Sequence, residues 1–202
     1  MDTSEEAIRD AHRRGDMRTA AAEGLALYQA EVYSFLCARL GGESDAHEVF
    51  AQVSEDLWRG IAGFAWRCSF RTWLYTLARH AAIRFERSPA NQAARRLELS
   101  RAGELAAVER SRTRPYLRTD VKDRFAALRS ALTPDEQSLL VLRIDRGLSW
   151  PEVSRILHDD ADPDEASMTR HTAALRQRFR QLKQRLHEMA RAEGLLDVDS
   201  GG

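Results

Sequence analysis

Cysteine, proline and long apolar runs are scarce in this chain of 202 residues, and each scarcity excludes something. Cys37 and Cys68 stand apart with no CxxC or Cys/His spacing, which argues against a disulfide framework or a zinc site and predicts two reduced thiols in or near the core. No apolar stretch approaches the roughly 18 residues that span a bilayer, so no membrane association is expected. The opening MDTSEEAIRD is acidic and lacks the basic-then-apolar order of a signal peptide, which predicts a cytoplasmic protein. There is no glycine-rich phosphate loop, no metal-ligand spacing and no convincing nucleophile and base pair, so neither an enzyme nor a cofactor is predicted. β-Branched residues are sparse while Ala, Leu, Arg and Glu dominate, which predicts an all-α protein.

What the chain does have is charge, and it is segregated. The formal net charge is zero. Yet residues 1–60 carry 12 acidic and 6 basic side chains, and residues 61–118 carry 4 and 12. Residues 119–165 then carry 11 and 6, and residues 166–202 carry 4 and 7. Two basic blocks alternate with two acidic ones, so local fields survive a total that cancels. The sharpest block is Arg170, Arg176, Arg178, Arg180, Lys183 and Arg185, with no carboxylate between them.

Periodicity places these blocks on helices. Leu25, Tyr28, Val32, Phe35 and Leu36 mark an amphipathic helix that stops at Gly41 and Gly42. A second helix from about Ser44 keeps Val49, Val53 and Leu57 on one side, and Gly60 and Gly63 loosen it into a loop carrying Phe64 and Trp66. A third begins after Ser69, a plausible N-cap, with Phe70, Trp73, Leu74, Leu77 and Ala81 as its apolar stripe and Arg71, Thr76, His80, Arg84 and Arg87 opposite. The pattern then fades into an Arg-rich linker. Two small helical domains follow, with boundaries at 18–88 and 120–191, a flexible linker at 89–119 and a tail at 192–202.

The C-terminal half announces three helix starts, each an N-cap oxygen with Glu three residues on: TPDE at Thr133, SWPE at Ser149 and DPDE at Asp162. They predict helices over 134–145, 150–157 and 163–190, after one at about 121–132. Gly147 supplies a left-handed helix end. A short helix, a turn and a long basic helix make a helix-turn-helix order, whose later helix enters the DNA major groove. In the last helix Met168, Thr172, Leu175, Phe179, Leu182, Leu186 and Met189 form one apolar seam. Thr169, Arg170, Ala173, Arg176, Gln177 and Arg180 lie opposite and suit phosphates and base edges.

The order of parts resembles a known family. LYQAEVYSFLCARLGGESDAHEVFAQVSEDLW, then FRTWLYTLARHAAI, and later LRSALTPDEQSLLVLRIDRGLSWPEVSRIL with ALRQRFRQLKQRL are similar to the two conserved domains of an RNA polymerase sigma factor. The short two-domain form resembles the extracytoplasmic-function (ECF) group of the sigma-70 family, a bacterial family. The resemblance spans roughly residues 25–186.

It implies a factor that binds core RNA polymerase and directs promoter-specific DNA binding and transcription initiation. It further implies that Asp45, Glu48, Gln52 and Glu55 face the polymerase. The loop 60–69 and the helix after it would capture the minus-ten element, with Arg67, Arg71, Arg79, His80, Arg84 and Arg87 on the nontemplate strand. The helix from about Ser167 would read the minus-thirty-five element. An anti-sigma factor is a further partner of such proteins.

Three features depart from the family's usual pattern. Ala51, Gln52 and Ser54 stand where Gln, an acid and Phe are frequent, and His80 stands where Asn is common. The turn with Asp159, Asp160, Asp162, Asp164 and Glu165 is longer than a compact helix-turn-helix has; either it points away from the phosphates or DNA contact starts at Thr169. Two rival readings are a helix-turn-helix regulator that no longer engages polymerase, and a helical module whose basic faces meet acidic proteins.

Overall fold

The computed structural model describes residues 5–93, 128–129, 131–160 and 163–195. Helix α1 (Glu6–Arg13) buries Ile8 and Ala11. Helix α2 (Met17–Leu40) starts where the Asp16 carboxylate accepts from the Thr19 N–H and ends at Gly41, whose φ of 81° permits the left-handed cap. Helix α3 (Glu43–Gly60) buries Ala46, Val49, Val53 and Leu57 at steps of three and four, and a 3₁₀ turn (Ile61–Gly63) ends it. Helix α4 (Phe70–Arg87) starts at Ser69, whose hydroxyl accepts from the Thr72 N–H.

These four helices pack together, α2 touching the other three and α3 also touching α4. Phe35, Leu36, Leu57, Leu74 and Tyr75 are fully buried between them. Each buried Leu or Phe contributes about 1.5–3 kcal/mol relative to exposure. Gly24 lets α2 and α4 approach closely: a Cβ there would lie 2.3 Å from carbons of the Phe70 ring. Cys37 and Cys68 are free and half-buried, and burial pushes both thiols above their usual range.

The second half begins with α5 (Pro134–Leu140). Its Thr133 capping box is complete, the Glu136 carboxylate accepting from the Thr133 N–H at 2.9 Å while the Thr133 hydroxyl accepts from the Glu136 N–H. A single helix over 134–145 was expected; the chain instead passes into a π-helical turn (Val141–Asp145) before Gly147 at φ 64°. Helix α6 (Trp150–Leu157) starts at Ser149, whose N–H and hydroxyl both donate to Glu152.

Helix α7 (Glu165–Ala192) begins two residues later than its sequence signal suggested. Its cap is Asp164, which accepts from the Ser167 N–H, rather than Asp162, which lies outside the described residues. The expected helix over 121–132 lies outside them as well, save for residues 128–129, which are helical, and 131–132, which form a turn and a bend. So does the linker beyond residue 93.

The described residues are all-α, without a strand. No helix among them is long and apolar enough to cross a membrane. The two halves share one continuous core: α4 packs against α6 and α2 against α5. The α7 seam sinks Leu175, Phe179 and Leu182 into it, with Leu186 half-covered.

Candidate nucleic-acid interface

On α3 the side chains implied as polymerase contacts divide by position. Glu48 and Glu55 are exposed, Asp45 and Gln52 half-buried. Gln52 donates to Asp56 at 3.1 Å and Glu55 pairs with Arg59 at 3.0 Å. Ser54 turns its hydroxyl back on the Phe50 carbonyl, so it offers no apolar anchor. One turn further, Trp58 is 54% exposed. Sequence reasoning passed over Trp58, although its place outside the 46, 49, 53, 57 stripe was the signal.

The minus-ten candidates sit on one helix and its preceding loop but do not all face outward. Arg67, Arg84 and Arg87 are exposed, and Arg84 pairs with Asp56. Arg71 grips Glu31 through Nε at 2.6 Å and Nη2 at 2.8 Å, and that pairing raises its pKa. Arg79 is buried: its Nη1 donates to the His158 carbonyl at 3.2 Å and its Nη2 to Asp159 at 2.8 Å. That bond holds the Asp159 carboxyl below the usual carboxylate range. His80 is half-buried, and burial first, then Arg79 and Arg84, depress its pKa.

The acidic turn after α6 is therefore partly spent on the protein itself. Asp159 closes on α4 and Asp164 caps α7. A cavity of about 770 Å³ lies between the halves, with Arg79, Arg87, Asp159 and Arg178 among its walls.

A buried arginine that sequence reasoning missed crosses the same junction. Arg39 bonds Glu86 at 2.9 Å, Asp135 at 3.0 Å and Ser138 at 2.8 Å, its side chain only 3% exposed. Its spacing from Val32, Phe35 and Leu36 put a cation in an apolar stripe, which was the available signal.

The loop between α3 and α4 is aromatic. Phe64 stacks on Trp73 with centroids 4.5 Å apart, and Phe70 meets both edge-on. Phe70 is fully buried and Trp73 and Leu77 partly so, as core side chains should be. Trp66 alone among described non-glycine residues has a positive φ, 56°. For a bulky residue that costs about 1–3 kcal/mol and needs support from its surroundings.

On α7 the picture is simpler, since Thr169, Arg170, Ala173, Arg176, Gln177 and Arg180 are all exposed. Trp150 packs edge-on against Phe179, and the Arg143 and Arg176 guanidiniums lie 5.2 and 5.8 Å from its ring centroid. Behind the helix the Ser154 hydroxyl and His171 Nδ1 are 3.0 Å apart, while His171 meets His158 edge-on.

Four packed helices with an aromatic loop, joined to a short capped helix, an acidic turn and a long helix with a basic outer face, make up the described all-α residues. Residues 25–91 match the family described as Sigma-70 region 2. The chain is 28% identical, over 131 residues, to the RNA polymerase sigma factor YlaC of Bacillus subtilis (strain 168), an alignment covering 64% of this chain and 75% of that relative. The family match covers about a third of the chain, and together with the similarity to an RNA polymerase sigma factor it supports a role in transcription initiation.

Proposed function

We propose that the chain docks on core RNA polymerase through the outer face of α3 and brings it to promoters by holding two DNA elements. The loop 60–69 and α4 take the nontemplate strand of a minus-ten element, and α7 reads a minus-thirty-five element in the major groove. The observation that carries this is the α7 face: six side chains suited to phosphates and base edges stand exposed together while Leu175, Phe179 and Leu182 are buried behind them. A bidentate Arg contact discriminates bases by about 1–3 kcal/mol, and phosphate contacts add salt-sensitive affinity. No bond-making step belongs to the protein itself.

Contact between DNA and Arg79 then requires a rearrangement. Arg79 is buried with its Nη2 on Asp159, so a strand that reaches it must move Asp159 and loosen the packing of α4 on α6, whereas Arg84 and Arg87 are exposed already. Pull-down of purified core polymerase, followed by binding of the assembly to genomic promoter fragments, tests the proposal. Both steps are expected to succeed. The rival reading, a DNA-binding regulator that has lost the polymerase contact, draws on the inward-turned Ser54 and predicts DNA binding without core association.

A further inference from the structure

Helix α1 and its N-cap Glu5 lie before the residues that match the family, yet they hold the loop between α3 and α4 and the start of α4 at three places. At the start of the loop, His12 Nε2 is 2.9 Å from the Ile61 carbonyl oxygen. At its centre, the Trp66 indole N–H donates to His12 Nδ1 at 3.3 Å, and the Arg9 guanidinium lies 4.5 Å from the Trp66 ring centroid. At its end, the Glu5 carboxylate accepts from the Phe70 N–H at 2.8 Å, the Arg71 N–H at 2.9 Å and the Tyr28 hydroxyl at 3.0 Å.

The His12 contacts fix its chemistry. A carbonyl only accepts and an indole N–H only donates, so His12 must carry its proton on Nε2 and leave Nδ1 bare. One neutral imidazole thus ties the loop's first residue to its strained centre. Trp66, at φ 56°, is in a conformation that a tryptophan keeps only when its neighbours hold it there, and such outliers gather at functional sites. Its sequence neighbours Ala65 and Arg67 are exposed, so the backbone angle at Trp66 sets where the loop's outer surface points.

We infer that α1 is the template of the minus-ten loop: Arg9 and His12 are positioning residues that set its base preference through Trp66, without touching DNA themselves. The inference rests on the proposed minus-ten role of the loop. Packing alone would need only Ile8 and Ala11, which are buried on the core side of α1. The polar contacts of Arg9 and His12 would then be dispensable for DNA selection.

The test uses the full chain assembled with core polymerase and fork-shaped DNA whose single-stranded nontemplate stretch is randomised. Bound molecules are sequenced for the wild type, Arg9→Ala, His12→Ala and His12→Gln. Gln keeps one donor and one acceptor, so it should restore the wild-type preference. The expected result is a base preference in the single-stranded stretch weakened about fivefold by His12→Ala, the scale of one hydrogen bond, with core association unchanged. Arg9→Ala, which changes a half-buried side chain without touching the apolar core, should weaken it in the same direction and decides the matter if His12→Ala does not fold. A shift of the Trp66 indole N–H resonance in both alanine variants should accompany the loss. Wild-type preference in Arg9→Ala and His12→Ala overturns the inference. So does a loss that tracks core association and is not restored by His12→Gln. A wild-type assembly that enriches no sequence overturns the DNA reading itself, and the inference with it.

Discussion

The Arg79 guanidinium donates to the Asp159 carboxylate across 2.8 Å, tying the middle of α4 to the end of α6. The partners are unequal: the Arg79 side chain is 7% exposed and that of Asp159 91%. An ion pair so open to water contributes only about 0–1 kcal/mol, and the His158 carbonyl still accepts from Arg79 when the carboxylate is gone. Asp159→Asn should therefore leave the melting temperature almost unchanged. It should speed amide exchange where α4 meets α6 and strengthen single-stranded DNA binding by the chain without polymerase. Unchanged exchange and unchanged DNA binding would remove Asp159 as a competitor of the nontemplate strand.

Two histidines make this region sensitive to mild acid. Burial is the first cause that lowers the pKa of both His171 and His80; His158 is next for His171 and Arg79 next for His80. Their usual value is 6.5. Below it the unfolded chain takes up protons that the folded one resists, so stability is full above that value and falls as pH drops through it. Between about pH 7.5 and 5.5 the melting temperature should fall, and His171→Gln should flatten the slope. A slope that is the same in His171→Gln would acquit His171.

Gly24→Ala is the sharpest packing test. The new Cβ would stand 2.3 Å from two carbons of the fully buried Phe70 ring, so α2 and α4 must part or the ring must leave its rotamer. Overpacking of this kind costs about 1–3 kcal/mol. Gly63→Ala is the control, since nothing lies within 4 Å of its added carbon. Urea denaturation should separate the two, and Phe70→Leu combined with Gly24→Ala should recover part of the loss.

Replacing Arg176 and Arg180 together by Ala should weaken promoter-fragment binding by about 1–3 kcal/mol per lost base contact, or flatten its salt dependence where phosphate was the partner. Core association should be intact, because α3 is untouched. Loss of core association with DNA binding preserved would contradict the assignment of α7.

The sequence carried what repeats or caps locally. The steps of three and four in α2, α3 and α4, the α7 seam, and the boxes at Thr133 and Ser149 all return in the fold, because each is written within one or two helical turns. Helix α1 was not legible, as eight residues anchored by Ile8 and Ala11 are too few to show a period. Arg39 with Ser138 and Arg79 with Asp159 join residues 99 and 80 positions apart, and such pairs leave no periodic mark. For the same reason the family resemblance set Arg79 among DNA-facing cations such as Arg84, whereas the turn after α6 covers it. The exposed candidates of α7 were legible because helical spacing alone sets them opposite a long apolar seam.

Run-off transcription with purified core polymerase on genomic fragments tests the central claim most directly. Transcripts of defined length should arise only when the chain is added, and should vanish with the Arg176 and Arg180 double substitution. A folded chain that leaves the transcripts of core polymerase unchanged would contradict it.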